Sequence, residues 1–147
     1  MSLNQETVKI DNSLRNINTL LNKYTKSKLC KYKLTLPQFH TLWLVSKLEP
    51  VNMGKLYKKM MVSKSTLTVT VDHLVKKDFV KRNRDKNDRR VVLLKTTSSG
   101  KERLQNLLDE RQEFFQKSLK KLCLKEQKQL VKLLEIILED LKLNDDT

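Results

Sequence analysis

Val62-Ser63-Lys64-Ser65-Thr66-Leu67-Thr68-Val69-Thr70-Val71-Asp72-His73-Leu74 is the stretch that decides the fold. Ser63 is a side-chain acceptor standing directly before a run in which Leu67, Val71 and Leu74 recur at steps of four and three, the pattern of a capped amphipathic helix. The β-branched residues at 66–71 favour a strand by propensity, but the cap and the helical period outweigh them. Lys64, Ser65, Thr68, Val69, Asp72 and Lys76 then share the outward face, which is small, polar and basic.

The local device at Ser63 occurs twice before it. Thr35-Leu36-Pro37-Gln38 reads as a capping box with proline placed where no helical N–H is lost, and the flanking pair Leu34 and Phe39 forms a hydrophobic staple. Val51-Asn52 followed by Leu56, and Val62-Ser63 followed by Leu67, repeat the staple. Helices should therefore start after Thr35, Asn52 and Ser63, the first ending near Leu48 ahead of Pro50. The short distance from Asn52 to Ser63 leaves two turns and a tight corner at 60–62, which is helix-turn-helix spacing.

Downstream, Phe79-Val80-Lys81-Arg82-Asn83-Arg84 and Val91-Val92-Leu93-Leu94 are extended runs around the charged tip Asp85-Lys86-Asn87-Asp88-Arg89, a β-hairpin whose second arm should pack on the helices. Thr97, Ser98 and Ser99 offer alternative caps for a long helix, Ser99 with Glu102 being one capping box. That helix carries Leu104, Leu107, Leu108, Phe114, Phe115, Leu119 and Leu122; a last helix carries Leu130, Leu133, Leu134, Ile137, Leu138 and Leu141. Near the start, Ile10, Leu14, Ile17, Leu21 and Tyr24 alternate at four and three, a narrow stripe suited to helix pairing. The predicted class is mainly α, in the order α-α-α-α-β-β-α-α.

Composition narrows the partners. The 147 residues carry 31 Lys and Arg against 17 Asp and Glu, a net charge of +14, and the span 51–101 holds 14 of those cations against 4 acids, or +10. Charge gathered on the helix-turn-helix and hairpin favours a polyanion. A lysine-rich bias of the whole genome is the competing explanation, and the absence of any alanine fits such a bias.

No apolar run approaches the ~20 residues that cross a bilayer, and the N-terminus lacks the pattern of a secretory signal, so a cytoplasmic protein without membrane contact is expected. Cys30 and Cys123 are expected to be free thiols, buried as small side chains rather than redox-active. Two distant histidines, His40 and His73, make no metal cluster, and no phosphate-cradling glycine loop or nucleophile elbow is present; no cofactor, no metal and no enzymatic activity are expected.

The span 36–100 resembles the MarR family of winged helix-turn-helix transcriptional regulators. Leu36-Pro37-Gln38-Phe39 is similar to its second-helix opening, Val62-Ser63-Lys64-Ser65-Thr66-Leu67-Thr68 to the start of its recognition helix, and Asn87-Asp88-Arg89-Arg90 through Thr97-Ser98-Ser99-Gly100 to its wing and the LTxxG-like sequence that ends it. The chain departs from the family where a glycine is commonly Asp78, a small residue Tyr57, a recognition-helix arginine Val69 and the leucine of LTxxG Thr96.

The resemblance implies a single MarR-like domain over 1–147, with 35–97 as the DNA-binding lobe and 1–34 with 98–147 as dimerisation helices. Ser63, Lys64, Ser65, Thr66, Thr68, Val69 and His73 are then the recognition-helix contacts to double-stranded DNA, and Thr and Val can touch a thymine methyl. In the wing, Arg90 would enter the minor groove; its two-residue spacing from Asp88 lets that carboxylate orient the guanidinium, while Arg84, Lys86 and Arg89 meet phosphates. The family also implies a homodimeric repressor released by a small-molecule effector, for which Tyr24, His40 and Trp43 are the candidate crevice residues; plain core is the other reading of these aromatics. A basic adaptor binding protein or structured RNA is the alternative function.

Overall fold

Thr35, Asn52 and Ser63 each cap a helix in the computed structural model, which describes residues 4–145. Thr35 Oγ1 accepts from Gln38 N at 3.4 Å while Gln38 Oε1 accepts from Thr35 N at 3.2 Å; Asn52 Oδ1 takes Lys55 N at 2.8 Å and Ser63 Oγ takes Thr66 N at 3.1 Å. These caps open α2 (Leu36–Leu48), α3 (Met53–Lys59) and α4 (Lys64–Lys76). Before them come α1 (Gln5–Lys28) and a 3-10 turn (Leu29–Tyr32); after them come β2 (Val80–Arg84), β3 (Val92–Thr96), α5 (Ser98–Leu119) and α6 (Leu124–Asp145). The mainly helical class and the predicted order are found, with one strand added.

That strand, β1 (Val51–Asn52), pairs antiparallel with Leu94 and Leu93 and makes a three-stranded sheet in the order β1-β3-β2. Two residues give no alternation to read, and here both already serve as staple and cap. Four other differences have local causes. α1 starts earlier than its apolar stripe, because Asn4 caps it by accepting from Glu6 N at 3.1 Å. Thr97 rather than Ser99 caps α5, its Oγ1 accepting Gly100 N at 3.0 Å. Leu122 falls in the turn beyond α5, where Gln127 Nε2 satisfies the carbonyls of Leu119 and Leu122 at 3.0 Å each. Val62 is 37% exposed, so the third staple is half made although Leu67 is buried.

The described residues fall into two compact units that divide after Arg111. The first contains the buried core, in which Phe39, Leu42 and Val45 of α2, Leu56 of α3, Leu67, Val71 and Leu74 of α4, and Leu94 of β3 come together with Leu104 and Leu107. Leu94 is the inward residue of the hairpin's second arm, and it explains why that arm is the apolar one. The second unit holds α6, whose Leu130, Leu133, Leu134, Ile137, Leu138 and Leu141 are all exposed on the single chain.

α4 ends in a left-handed turn. Asp78 has φ 58°, its N–H reaching Val75 O at 2.9 Å, and the N–H of Phe79 reaches back to Leu74 O at 2.9 Å, the double closure of a Schellman motif. Phe79 is buried, and its carbonyl accepts Thr97 N at 3.0 Å. A Cβ on Gly100 would stand 2.1 Å from that same carbonyl oxygen, so only glycine lets α5 start against the end of α4. Thr97 Oγ1 completes the joint by donating to Asp78 O at 2.6 Å.

Glu49, between α2 and β1, ties the other side of the sheet. Its Oε2 accepts from Thr96 N and Thr96 Oγ1, both at 2.6 Å, and its Oε1 meets Lys101 Nζ at 3.0 Å. Burial pushes the carboxyl up, but the two Thr96 bonds and Lys101 outweigh it and hold it below the usual carboxylate range.

Two outcomes follow. Gly100→Ala should cost about 3 kcal/mol, seen by calorimetry as a melting-temperature drop of roughly 6–12 °C; an unchanged Tm would contradict the close approach. A folded-state pKa held below the unfolded one means that Glu49 stabilises above the ordinary carboxylate range and stops doing so as pH falls through its folded pKa. Urea unfolding should therefore find Glu49→Gln less stable by about 1.5 kcal/mol at neutral pH, with the gap closing in acid; a gap constant with pH contradicts the charge-borne bonds.

Candidate nucleic-acid interface

α4 buries Leu67, Thr70, Val71 and Leu74 and leaves Lys64, Ser65, Thr66, Thr68, Val69, Asp72, His73 and Lys76 exposed. All of the recognition-helix residues singled out from the sequence thus share accessible surface on one helix. Ser63 Oγ lies 3.1 Å from Ser65 Oγ and 2.7 Å from Thr66 Oγ1, and Thr68 Oγ1 donates to Lys64 O at 2.9 Å. Thr68 thus spends its hydroxyl proton on the helix and keeps its oxygen lone pair and methyl group for other partners. The helix N-terminus, with its unpaired N–H groups, adds positive potential at the same place.

Tyr57, which replaces the small residue of the resemblance, puts its ring 5.2 Å from Lys64 Nζ. The quadrupole of the ring holds the ammonium at the start of α4 without neutralising it. Asp72 is the one acid on the outward face, and Arg82 of β2 pairs with it. Neither Tyr57 nor Arg82 was singled out from the sequence as part of the site. A lone carboxylate on a basic helix face was the available signal for Arg82, since the hairpin had to supply its counter-ion.

The wing tip is built by its acids. Asp85 Oδ1 accepts from Asn87 N at 2.7 Å and Asp88 N at 3.0 Å, and the strands close with Asp85 N to Val91 O and Val91 N to Asp88 O, both 2.9 Å. The backbone bonds from Asp88 and Asn87 hold the Asp85 carboxyl below its usual range. Asp88 does not orient the Arg90 guanidinium as the sequence spacing suggested. Its Oδ1 accepts the backbone N–H of Arg90 at 2.9 Å, because a turn leaves that N–H without a ladder partner.

Each carboxylate thus turns one oxygen to the backbone of the tip. Arg84, Lys86, Arg89 and Arg90 are exposed, and among the described residues none has a carboxylate within ion-pair distance. The arrangement can place unneutralised cations beside a polar helix face, which is what phosphate contact and groove insertion require.

The aromatic candidates separate. His40 and Trp43 line a groove of about 330 Å³ with Asn18, Asn22, Phe39 and Arg111, whereas Tyr24 lies outside it, its ring 5.3 Å from Lys28 Nζ. Burial and then the Arg111 charge push the His40 pKa down. Cys30 and Cys123 are free thiols, but both are exposed rather than buried. Cys30 projects from a short 3-10 turn whose inward positions are taken by Leu29 and Tyr32, and Cys123 sits in the turn before α6. Among the described residues, no helix is long and apolar enough to cross a membrane.

The model of the MarR family matches residues 34–92. The chain is 33% identical over 106 residues to YsmB, an HTH-type transcriptional regulator of Bacillus subtilis, a match covering 72% of this chain and 73% of that protein. Among solved structures, a MarR family protein from Bacillus stearothermophilus superposes with a TM-score of 0.85 at 25% identity, over 96% of this chain and 99% of the other. FabT of Streptococcus pneumoniae, solved in complex with DNA, shares the fold with a TM-score of 0.71 at 22% identity, over 92% of this chain and 97% of FabT. With the capped helix-turn-helix and the hairpin wing in the same order, the chain belongs to the MarR family of DNA-binding transcriptional regulators.

Proposed function

We propose that the protein is a cytoplasmic, homodimeric, sequence-specific repressor that binds double-stranded DNA through α4 and the wing and is released by a small-molecule effector. The observation that carries this reading is a wing tip whose acids bond its own backbone and whose cations Arg84, Lys86, Arg89 and Arg90 are exposed without an ion pair among the described residues, in the same compact unit as a capped polar helix. In this reading residues 35–97 are the DNA-binding lobe of one domain spanning the chain; Ser63, Lys64, Ser65, Thr66, Thr68, Val69 and His73 face the major groove. Arg90 enters the minor groove, and Arg84, Lys86 and Arg89 meet phosphates. The DNA bound by FabT supports DNA as the partner.

Homodimer formation is supported by two faces. On α1, Ile10, Leu14 and Ile17 stay exposed on the single chain, and on α6 the stripe from Leu130 to Leu141 does the same. Apolar surface of that extent, at helix-pairing spacing, asks for a partner; the dimer supplies the second recognition helix that a two-fold operator needs. The groove beside His40 and Trp43 joins apolar rings to the Arg111 cation at the lower end of the size range of ligand sites, which supports a small anionic or aromatic effector.

In a gel shift the protein should bind its own upstream DNA more tightly than random DNA of equal length, and both affinities should fall steeply with salt. Arg90→Ala should cost about 1–3 kcal/mol of specific binding. Equal affinity for the two duplexes overturns the reading in favour of a basic adaptor for protein or structured RNA. Sedimentation should give twice the 17.4 kDa chain mass, and Leu134→Asp with Leu138→Asp should return the monomer; a wild-type monomer overturns the dimer.

A further inference from the structure

Ser65, Val69, Asp72 and Lys76 follow one another on α4 at steps of four, three and four, the spacing that stacks side chains on one helix face. They lie opposite the buried Leu67, Val71 and Leu74. At the middle of this outward face stands Val69, an apolar side chain that is 53% exposed. α4 contains no Arg, Asn or Gln, so the forked side chains that read guanine and adenine edges in pairs of hydrogen bonds are missing from it.

Part of the polar surface around Val69 is committed, while Ser65 and His73, one turn to either side, face outward. Thr68 gives its hydroxyl proton to Lys64 O, Asp72 pairs with Arg82, and the Lys64 ammonium sits over the Tyr57 ring. Methyl groups of Val69 and Thr68 are what the centre of the face offers. In the major groove the complementary feature is the C5-methyl group of thymine.

Resting on the reading that α4 enters the major groove, we infer that the protein recognises its operator through thymine methyl groups contacted by Val69 and Thr68, not through bidentate hydrogen bonds to purines. Deoxyuridine tests this directly, because it removes the methyl and keeps every hydrogen-bonding group of thymine. Duplexes enriched by the wild-type protein from a random pool should carry thymine at the centre of each half-site. Replacing each contacted thymine by deoxyuridine should weaken binding roughly fourfold, about 0.8 kcal/mol.

Val69→Ala, at an exposed position outside the core, should erase the difference between thymine and deoxyuridine at one site position, and Thr68→Ser at its neighbour. Sequence preference that survives deoxyuridine unchanged overturns methyl readout and leaves the DNA-binding reading intact. Enrichment of guanine that disappears in Lys64→Ala overturns it in favour of a lysine contact. A pool that yields no preferred sequence overturns sequence-specific binding, and this inference with it.

Discussion

The backbone of Phe79 is where α4, the hairpin and α5 are joined. Its N–H closes α4 on Leu74 O, and its carbonyl accepts Thr97 N–H at 3.0 Å in the space that Gly100 leaves empty. α4, the base of the wing and the start of α5 therefore meet at one residue, and the Asp72–Arg82 pair ties helix to wing a second time. Arg103 of α5 lays its guanidinium 5.1 Å from the Phe79 ring and covers the joint from the outside. Because backbone hydrogen bonds share in the connection with side-chain packing, a change in the angle between helix and wing would strain those bonds. A rigid pair of reading elements is what groove recognition at fixed spacing demands.

Charge is arranged by the same economy. The acids of the helix-turn-helix and wing are few, and each serves the structure. Asp85 and Asp88 build the tip, Asp72 is held by Arg82, and Asp78 turns the chain left-handed while its carbonyl receives Thr97. The acids stay ionised, so the positive balance comes from 14 cations against 4 acids over 51–101, and the cations of the wing tip are left without ion pairs among the described residues. A solvated basic surface with evenly paired charges would show the opposite pattern.

Much of the fold was legible because its signals are local. A cap, a staple and a helical period each span fewer residues than a helical turn or two, so the starts of α2, α3 and α4 and the hairpin could be read directly. The LTxxG-like ending at Thr97 and Gly100 was visible as a resemblance, but its reason, the Phe79 carbonyl, is a contact across the wing. What stayed hidden was long-range or two-sided. β1 exists only because β3 lies beside it, Glu49 matters only through Thr96 and Lys101, and the exposure of Cys30 depends on which neighbours took the inward positions. Asp88 was assigned to the wrong part of Arg90 because spacing fixes proximity and not which donor is free. His40 and Trp43 share a groove that Tyr24 does not, a distinction made by helix rotation rather than by residue type.

On this account α4 and the wing form one reading unit that a second copy repeats on the DNA. Hydroxyl-radical footprinting of the protein on its own operator examines that geometry at single-nucleotide scale. Two symmetric sets of protections should appear with centres about ten base pairs apart or a multiple of that, each with minor-groove protection on its flank that Arg90→Ala removes. A single unsymmetrical patch, or flanking protection that persists without the Arg90 side chain, would contradict it.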